Sequence, residues 1–241
     1  MCAPLCLNGA MTAIETARTL ARRQVRAEIL EAARRHLADG GAEGLSFRAV
    51  ARDLGMPSSG VYRYFDSRDA LLTALIIQSY DSLGEATEQS LERSVGWSPR
   101  ERWVAAAATI RTWAVDHEHE YALLYGTPVR GYAAPDDTVV PGTRVSLALM
   151  RIVAEAWRDG ALRPPVDPPA LQPGSQRDLA ALLATLELEL PEATLLAVLL
   201  AWTQLFGLIS FEVFGQMRGL IADHEAFLRD SAREMATRIG L

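Results

Sequence analysis

Apolar residues recur at helical spacing along nearly the whole chain. From Arg22 to Ala38, the side chains of Val25, Ile29, Ala32, His36 and Leu37 fall on one face, and Asp39-Gly40-Gly41 closes that first helix. Ser46 stands where its hydroxyl caps a short second helix carrying Phe47, Val50, Ala51 and Leu54, which Gly55 stops. A third short helix is predicted over Ser59–Tyr64. Asp66-Ser67 then caps a long fourth one through Leu71, Leu72, Leu75, Ser79 and Leu83 toward Leu91. Beyond Gly96 the pattern predicts helices over Pro99–Asp116, Glu118–Tyr125, Gly142–Asp159 and Asp178–Leu188, a long apolar one after Pro191, and a last amphipathic one over Asp223–Ile239. Proline at 164, 165, 168, 169 and 173 predicts a surface loop from Arg163 to Gly174. No alternating β-branched runs and no internal repeat occur, so the fold class is all-α.

Composition narrows this picture in two places. The only cysteines, Cys2 and Cys6, lie in an N-terminal stretch with no basic residue before its apolar part. That excludes a disulfide framework or a cysteine zinc cluster and argues against a secretory signal. Residues 1–20 are expected to be a loose tail, with Met1 or Met11 as the start, and the protein to be cytoplasmic. The second place is Ala193–Phe211, which has no charged residue and about the length of a bilayer span. Thr194, Thr203, Gln204 and Ser210 interrupt it and Glu192 and Glu212 flank it, so a helix buried by its neighbours or by a second subunit is expected, not a membrane helix.

The net charge of -6 and a pI near 5.3 argue on average against nucleic acid. The average conceals an asymmetry. All 24 basic side chains are arginine, and residues 18–68 hold ten of them against six Asp or Glu, a balance of +4 that leaves -10 for the remainder. Within this basic region Ala51 stands four residues before Gly55, and Val61 six after it. A small residue lets two helices cross, glycine permits the positive backbone angle of a tight turn, and an aliphatic residue plugs the space between them: the requirements of a helix-turn-helix.

From Ile29 to Leu72 the chain resembles the DNA-binding domain of the tetracycline-repressor (TetR) family of transcriptional regulators. The resemblance rests on Leu45-Ser46-Phe47-Arg48-Ala49-Val50-Ala51-Arg52-Asp53-Leu54-Gly55 and on Gly60-Val61-Tyr62-Arg63-Tyr64-Phe65-Asp66-Ser67-Arg68-Asp69-Ala70-Leu71-Leu72. Arg68 stands where the family usually has Lys, Tyr64 where it often has His, and Ser59-Gly60 replaces the commoner Gly-Thr or Pro-Thr pair. The resemblance implies a DNA-binding domain at 21–68, with Arg18, Arg22, Arg23 and Arg26 along the backbone or minor groove. It further implies phosphate contacts from Ser46, Tyr62, Tyr64 and Arg68, a DNA contact from Arg48, and a recognition segment Pro57, Ser58, Ser59, Gly60 and Arg63 entering the major groove, Arg63 being a candidate for bidentate pairing with guanine.

No catalytic signature occurs in the remainder, 69–241. Asp116-His117-Glu118-His119-Glu120 looks like a metal cluster, but two histidines two positions apart on a helix point about 200° apart, so a helix corner with solvated charges is expected and neither metal nor cofactor. Arg111-Thr112-Trp113-Ala114, Glu120 to Gly126, Gly131-Tyr132-Ala133-Ala134-Pro135, Ala201 to Gly207 and Phe211 to Gly215 resemble the TetR subgroup whose regulatory domain is called WHG-type. That implies an inducer pocket and a homodimer through the last two long helices. Candidate ligand contacts are Trp103, Arg111, Trp113, Tyr121, Tyr125, Trp157, Gln204, Phe206 and Phe211, with Tyr132, Trp202 and Glu212 beside them, because small-molecule sites are mostly apolar with a few polar anchors. The function expected is a ligand-responsive repressor on a palindromic operator, not an enzyme. A helical enzyme using the aromatic cavity and a DNA-binding protein without ligand response are the alternatives.

Overall fold

A computed structural model of the protein describes residues 7–164 and 170–241. Among the described residues there are ten α-helices and no strand: α1 (Leu7–Gly40), α2 (Phe47–Asp53), α3 (Ser58–Tyr62), α4 (Arg68–Arg93), α5 (Pro99–Asp116), α6 (Glu118–Tyr125), α7 (Val139–Arg158), α8 (Pro173–Thr185), α9 (Glu192–Val213) and α10 (His224–Ile239). The all-α expectation holds. The chain divides into two units: residues up to Ile76 together with Thr127–Pro135, and Ile77–Gly126 together with Asp136–Leu241. The expected boundary at 68/69 thus moves into α4, and a stretch assigned to the larger domain, Thr127–Pro135, joins the first unit, where the Tyr132 hydroxyl lies 2.9 Å from that of Thr73.

Several elements begin where the sequence rules place them. Ser67 Oγ accepts the Ala70 N–H at 3.0 Å, opening α4. Ser98 and Glu101 form a reciprocal capping box with Pro99 at the first position of α5. Other starts differ. The residues expected as a tail are helical from Leu7 onward, in keeping with the strong helix formers Ala, Leu, Glu and Arg between Met11 and Arg22; Cys2 and Cys6 lie outside the described residues. Pro141 falls in the first turn of α7 rather than in a loop, and Pro173 opens α8, both at positions where a missing N–H breaks no helical bond. Of the loop expected at 163–174, Pro165–Pro169 lie outside the described residues.

The first unit packs Ile29, Ala32, Ala33 and Leu37 of α1 with Val50 and Ala51 of α2, Val61 of α3 and Leu71, Leu72 and Leu75 of α4, all 2 % exposed or less. The second unit is built around Trp103, Ile110, Tyr121, Leu149, Ile152, Leu195, Leu205, Ile209 and Ile239. Burying each large apolar side chain stabilises the fold by about 1.5–3 kcal/mol. Gly84 in α4 leaves room for Arg144 of α7, which crosses there to reach Glu88 at 2.6 Å and Asp81 at 2.8 Å. Arg111 of α5 meets Glu212 of α9 in a forked pair at 2.8 and 2.5 Å, and Arg102 meets Glu155 at 2.6 Å.

Candidate nucleic-acid interface

Two short helices and a tight turn make the candidate surface. The α2 backbone ends with Gly55 N–H donating to Arg52 O and Met56 N–H to Ala51 O, at 3.1 and 2.9 Å. Gly55 takes φ +62°, which any residue with a Cβ adopts only under strain. Val61 of α3 is 0 % exposed and Ala51 1 %, so the crossing of α2 and α3 is closed by the residue types expected for it. What remains outside is polar. Pro57, Ser59, Tyr62 and Arg63 are exposed, and Ser58, Gly60 and Tyr64 are half-buried.

Tyr62 presents 55 % of its surface while its ring packs edge-on against Phe47 at 4.7 Å. That contact brings the end of α3 beside the start of α2, where Ser46 and Arg48 are also exposed. Ser46 occupies the N-cap position of α2 with extended backbone, but its hydroxyl makes no cap bond. The capping role expected of it is therefore not filled, and the hydroxyl is left available to another acceptor or donor.

The arginines sort into two groups. Arg18, Arg23, Arg48 and Arg63 are exposed, and among the described residues none of the four makes a side-chain hydrogen bond or ion pair. Arg22, Arg26 and Arg68 are engaged within the unit. Arg22 donates to Arg63 O at 3.3 Å, Arg26 to Tyr64 O at 3.2 Å, and Arg68 to Leu45 O and Ala42 O at 3.1 and 2.5 Å. Sequence alone puts all seven on one footing. A further tie that sequence reasoning misses joins α1 to the end of α2, His36 Nε2 lying 2.8 Å from Asp53 Oδ2; helical periodicity places His36 only on a core face.

The second unit disperses the candidate ligand residues. Trp103 is core at 0 % exposure. Arg111 is occupied by Glu212, and the guanidinium pKa is raised first by that hydrogen bond. Tyr121, Tyr125 and Phe206 form one cluster with ring separations of 5.0 and 4.7 Å, joined by Trp202 and Phe214. Burial pushes the Tyr121 hydroxyl up to about 12, against a lowering hydrogen bond from Ser210, and pushes Tyr125 higher still, so both rings carry neutral hydroxyls. Trp113 instead lines a groove of about 700 Å³ with Trp97, Arg93, His117 and Arg229, its indole donating to Ser82 Oγ at 2.9 Å. Gln204 lies in a different groove of about 460 Å³ with Leu196, Leu200 and Met235, while Trp157 and Phe211 are 38 % and 54 % exposed. Among the described residues no group of three or more metal-ligating side chains converges. His117 stacks on Trp113 at 4.9 Å at the corner between α5 and α6.

Family comparison agrees with this division. Residues 29–75 match the model of bacterial regulatory proteins of the tetR family, and residues 103–235 match the tetracyclin repressor-like C-terminal domain. The chain belongs to the TetR family. It is similar to the HTH-type transcriptional regulator Rv1816 of Mycobacterium tuberculosis (strain ATCC 25618 / H37Rv), with 41% identity over 197 residues, 81% of this chain and 83% of the relative. The HTH-type transcriptional regulator Mb1846 of Mycobacterium bovis (strain ATCC BAA-935 / AF2122/97) matches with the same identity and coverage. Among solved structures, a regulatory protein described as SCO4313 superposes with a TM-score of 0.72 at 29% identity, covering 91% of this chain and 98% of that one. The TetR family transcriptional regulator PfmR from Thermus thermophilus shares the fold at a TM-score of 0.57 and 18% identity, over 86% of this chain and 96% of its own. As a TetR-family member the protein is a transcriptional regulator, and α2 and α3 lie within its helix-turn-helix DNA-binding domain.

Proposed function

We propose that this TetR-family regulator is a homodimeric repressor that binds a palindromic operator and is released by a small-molecule inducer. The observation that carries the dimer is the outer face of α9. Leu200 and Phe211 are 60 % and 54 % exposed, and Thr203 and Gln204 lie between them on the same side of a helix that has no charge from Ala193 to Phe211. A stripe of that length and polarity suits a second copy of the same helix better than water. Two reading surfaces held this way would meet half-sites about one helical turn of DNA apart.

In this reading Ser46, Arg48, Tyr62 and the exposed Arg18 and Arg23 contact phosphate, while Pro57, Ser58, Ser59, Gly60 and Arg63 face base edges. Inducer binds the second unit at the aromatic cluster of Tyr121, Tyr125 and Phe206 or at the Trp113 groove, and α4, which carries residues of both units, is the lever. Ligand and DNA then oppose each other reciprocally. Arg111 and Trp103 serve the fold of that unit and not the ligand. The protein works by binding in the cytoplasm, with no cofactor.

Footprinting the purified protein on DNA upstream of its own gene tests the proposal. Protection of a two-fold symmetric site is expected, and protection confined to one half-site, or none, would contradict the palindromic dimer. Ligand release is tested separately, by screening small aromatic and apolar compounds for loss of that footprint together with quenching of tryptophan fluorescence.

A further inference from the structure

Helix α3 is five residues long, too short to be held by its own hydrogen bonds. Among the described residues the turn after it leaves the carbonyls of Arg63 and Tyr64 without a backbone donor. Both are reached from α1. Arg22 Nη2 lies 3.3 Å from Arg63 O, and Arg26 Nη1 lies 3.2 Å from Tyr64 O. The same two guanidiniums sit over rings of the following residues, Arg22 at 5.7 Å from the centre of Tyr64 and Arg26 at 4.2 Å from that of Phe65. Phe65 is itself core, 2 % exposed. Positions 22 and 26 are one helical turn apart, so α1 presents one guanidinium N–H to each of two successive carbonyls. A guanidinium laid on a ring, with N–H groups turned to a carbonyl, has one face and part of its donor set already used. Arg23, between them in sequence, is exposed and makes no side-chain hydrogen bond or ion pair among the described residues.

We propose that Arg22 and Arg26 are positioning residues for DNA recognition: they fasten the C-terminal end of α3 to α1 and fix the angle at which Ser58, Ser59 and Arg63 are presented, while Arg18, Arg23 and Arg48 carry the phosphate contacts. The inference rests on α3 being the element that reads DNA. It divides the basic cluster into a brace and a phosphate-facing set, a distinction to which net charge is blind. Substitutions in the brace alter which sequence is bound, and substitutions in the other set alter how strongly any DNA is bound.

Salt dependence separates the two roles, because each phosphate contact contributes about 0.9 to the slope of log K against log salt. The full-length protein is titrated, across a salt series, with a duplex carrying a site it selects from a random pool and with an unrelated duplex. For Arg22→Met with Arg26→Met, affinity for the selected site falls about tenfold or more, affinity for the unrelated duplex is unchanged, and the slope stays at the wild-type value. Arg23→Met lowers the slope by about 0.9 per subunit and weakens both duplexes alike. A slope reduced by about 1.8 per subunit in the double variant, with both duplexes weakened in parallel, overturns the proposal. If circular dichroism shows the Met pair unfolded, the Lys pair decides. Lysine keeps the charge but not the planar fork, so selectivity falls with the slope unchanged if the residues position α3, and stays at wild type if they serve as phosphate charges. A wild-type protein that selects no sequence at all would instead overturn α3 as the reading element.

Discussion

Arginine does different work in the two units of this protein. In the DNA-binding unit Arg22, Arg26 and Arg68 reach backbone carbonyls of other elements, Arg34 and Arg35 pair with Glu31 of their own helix, and among the described residues Arg18, Arg23, Arg48 and Arg63 make no side-chain hydrogen bond or ion pair. In the second unit Arg102, Arg111 and Arg144 go to carboxylates carried on other helices. A guanidinium that satisfies a carbonyl keeps its net charge, so the first unit remains basic while its short helices are braced. A guanidinium paired with a carboxylate of another helix is a locally neutral cross-link, so the second unit is tied together by its arginines, while its acidity comes from its excess of Asp and Glu over Arg. The basic and acidic halves hidden in a net charge of -6 are thus also two ways of using one side chain.

The largest effect expected from this contrast is at Arg111. Arg111→Ala leaves Glu212, whose side chain is only 13 % exposed, without its partner, and destabilises the second unit by about 3–5 kcal/mol. All five tryptophans lie in that unit, so urea denaturation followed by tryptophan fluorescence reads it directly. A loss under about 1 kcal/mol would place the pair among solvent-screened surface contacts and weaken the contrast. Next comes Arg63→Ala, which removes a side chain with no hydrogen bond or ion pair among the described residues to lose. It is expected to leave the urea midpoint unchanged and to lose about 1–3 kcal/mol of discrimination at a single guanine position, read by competition binding. A shift in stability without loss of discrimination would move Arg63 into the structural set.

Gly55→Ala places a Cβ at φ +62° and should destabilise the DNA-binding unit by about 1 kcal/mol, visible as faster amide exchange in α2 and α3. The smallest effect is on acid stability. Hydrogen bonding to Arg144 holds Glu88 below its ordinary 4.5, and in Glu155 burial acts upward but Arg102 and Arg151 more than reverse it. Both carboxylates therefore stabilise the folded state above their unfolded values, and that contribution is lost as pH falls through their lower folded values. The fluorescence midpoint in urea should be flat above pH 4.5 on their account and fall below it, less steeply in Glu88→Gln.

Helices are legible in the sequence where local chemistry marks their ends. The limits of α5 and α6 follow from Ser98, Glu101 and Pro99 and from the break at His117, and the helix-turn-helix follows from Ala51, Gly55 and Val61. Starts are misplaced where proline sits in a first turn, as at Pro141 and Pro173, because the same residue marks loops and helix openings alike. The partners of the arginines are not legible. Arg111 and Glu212 are 101 positions apart, and the carbonyls that receive Arg22, Arg26 and Arg68 belong to the backbone, which every residue shares. The partner of Tyr132 is hidden for a related reason: its hydroxyl meets that of Thr73, 59 positions away in sequence.

The central claim is that α2 and α3 read DNA sequence through their polar outer face. Selection of bound duplexes from a random pool, run in parallel with wild type and Arg63→Ala, tests it most directly. The account predicts enrichment of two inverted half-sites by the wild type, with preference relaxed at one position of each half-site in the variant. No enrichment by the wild type, or an identical enriched site for both proteins, would contradict it.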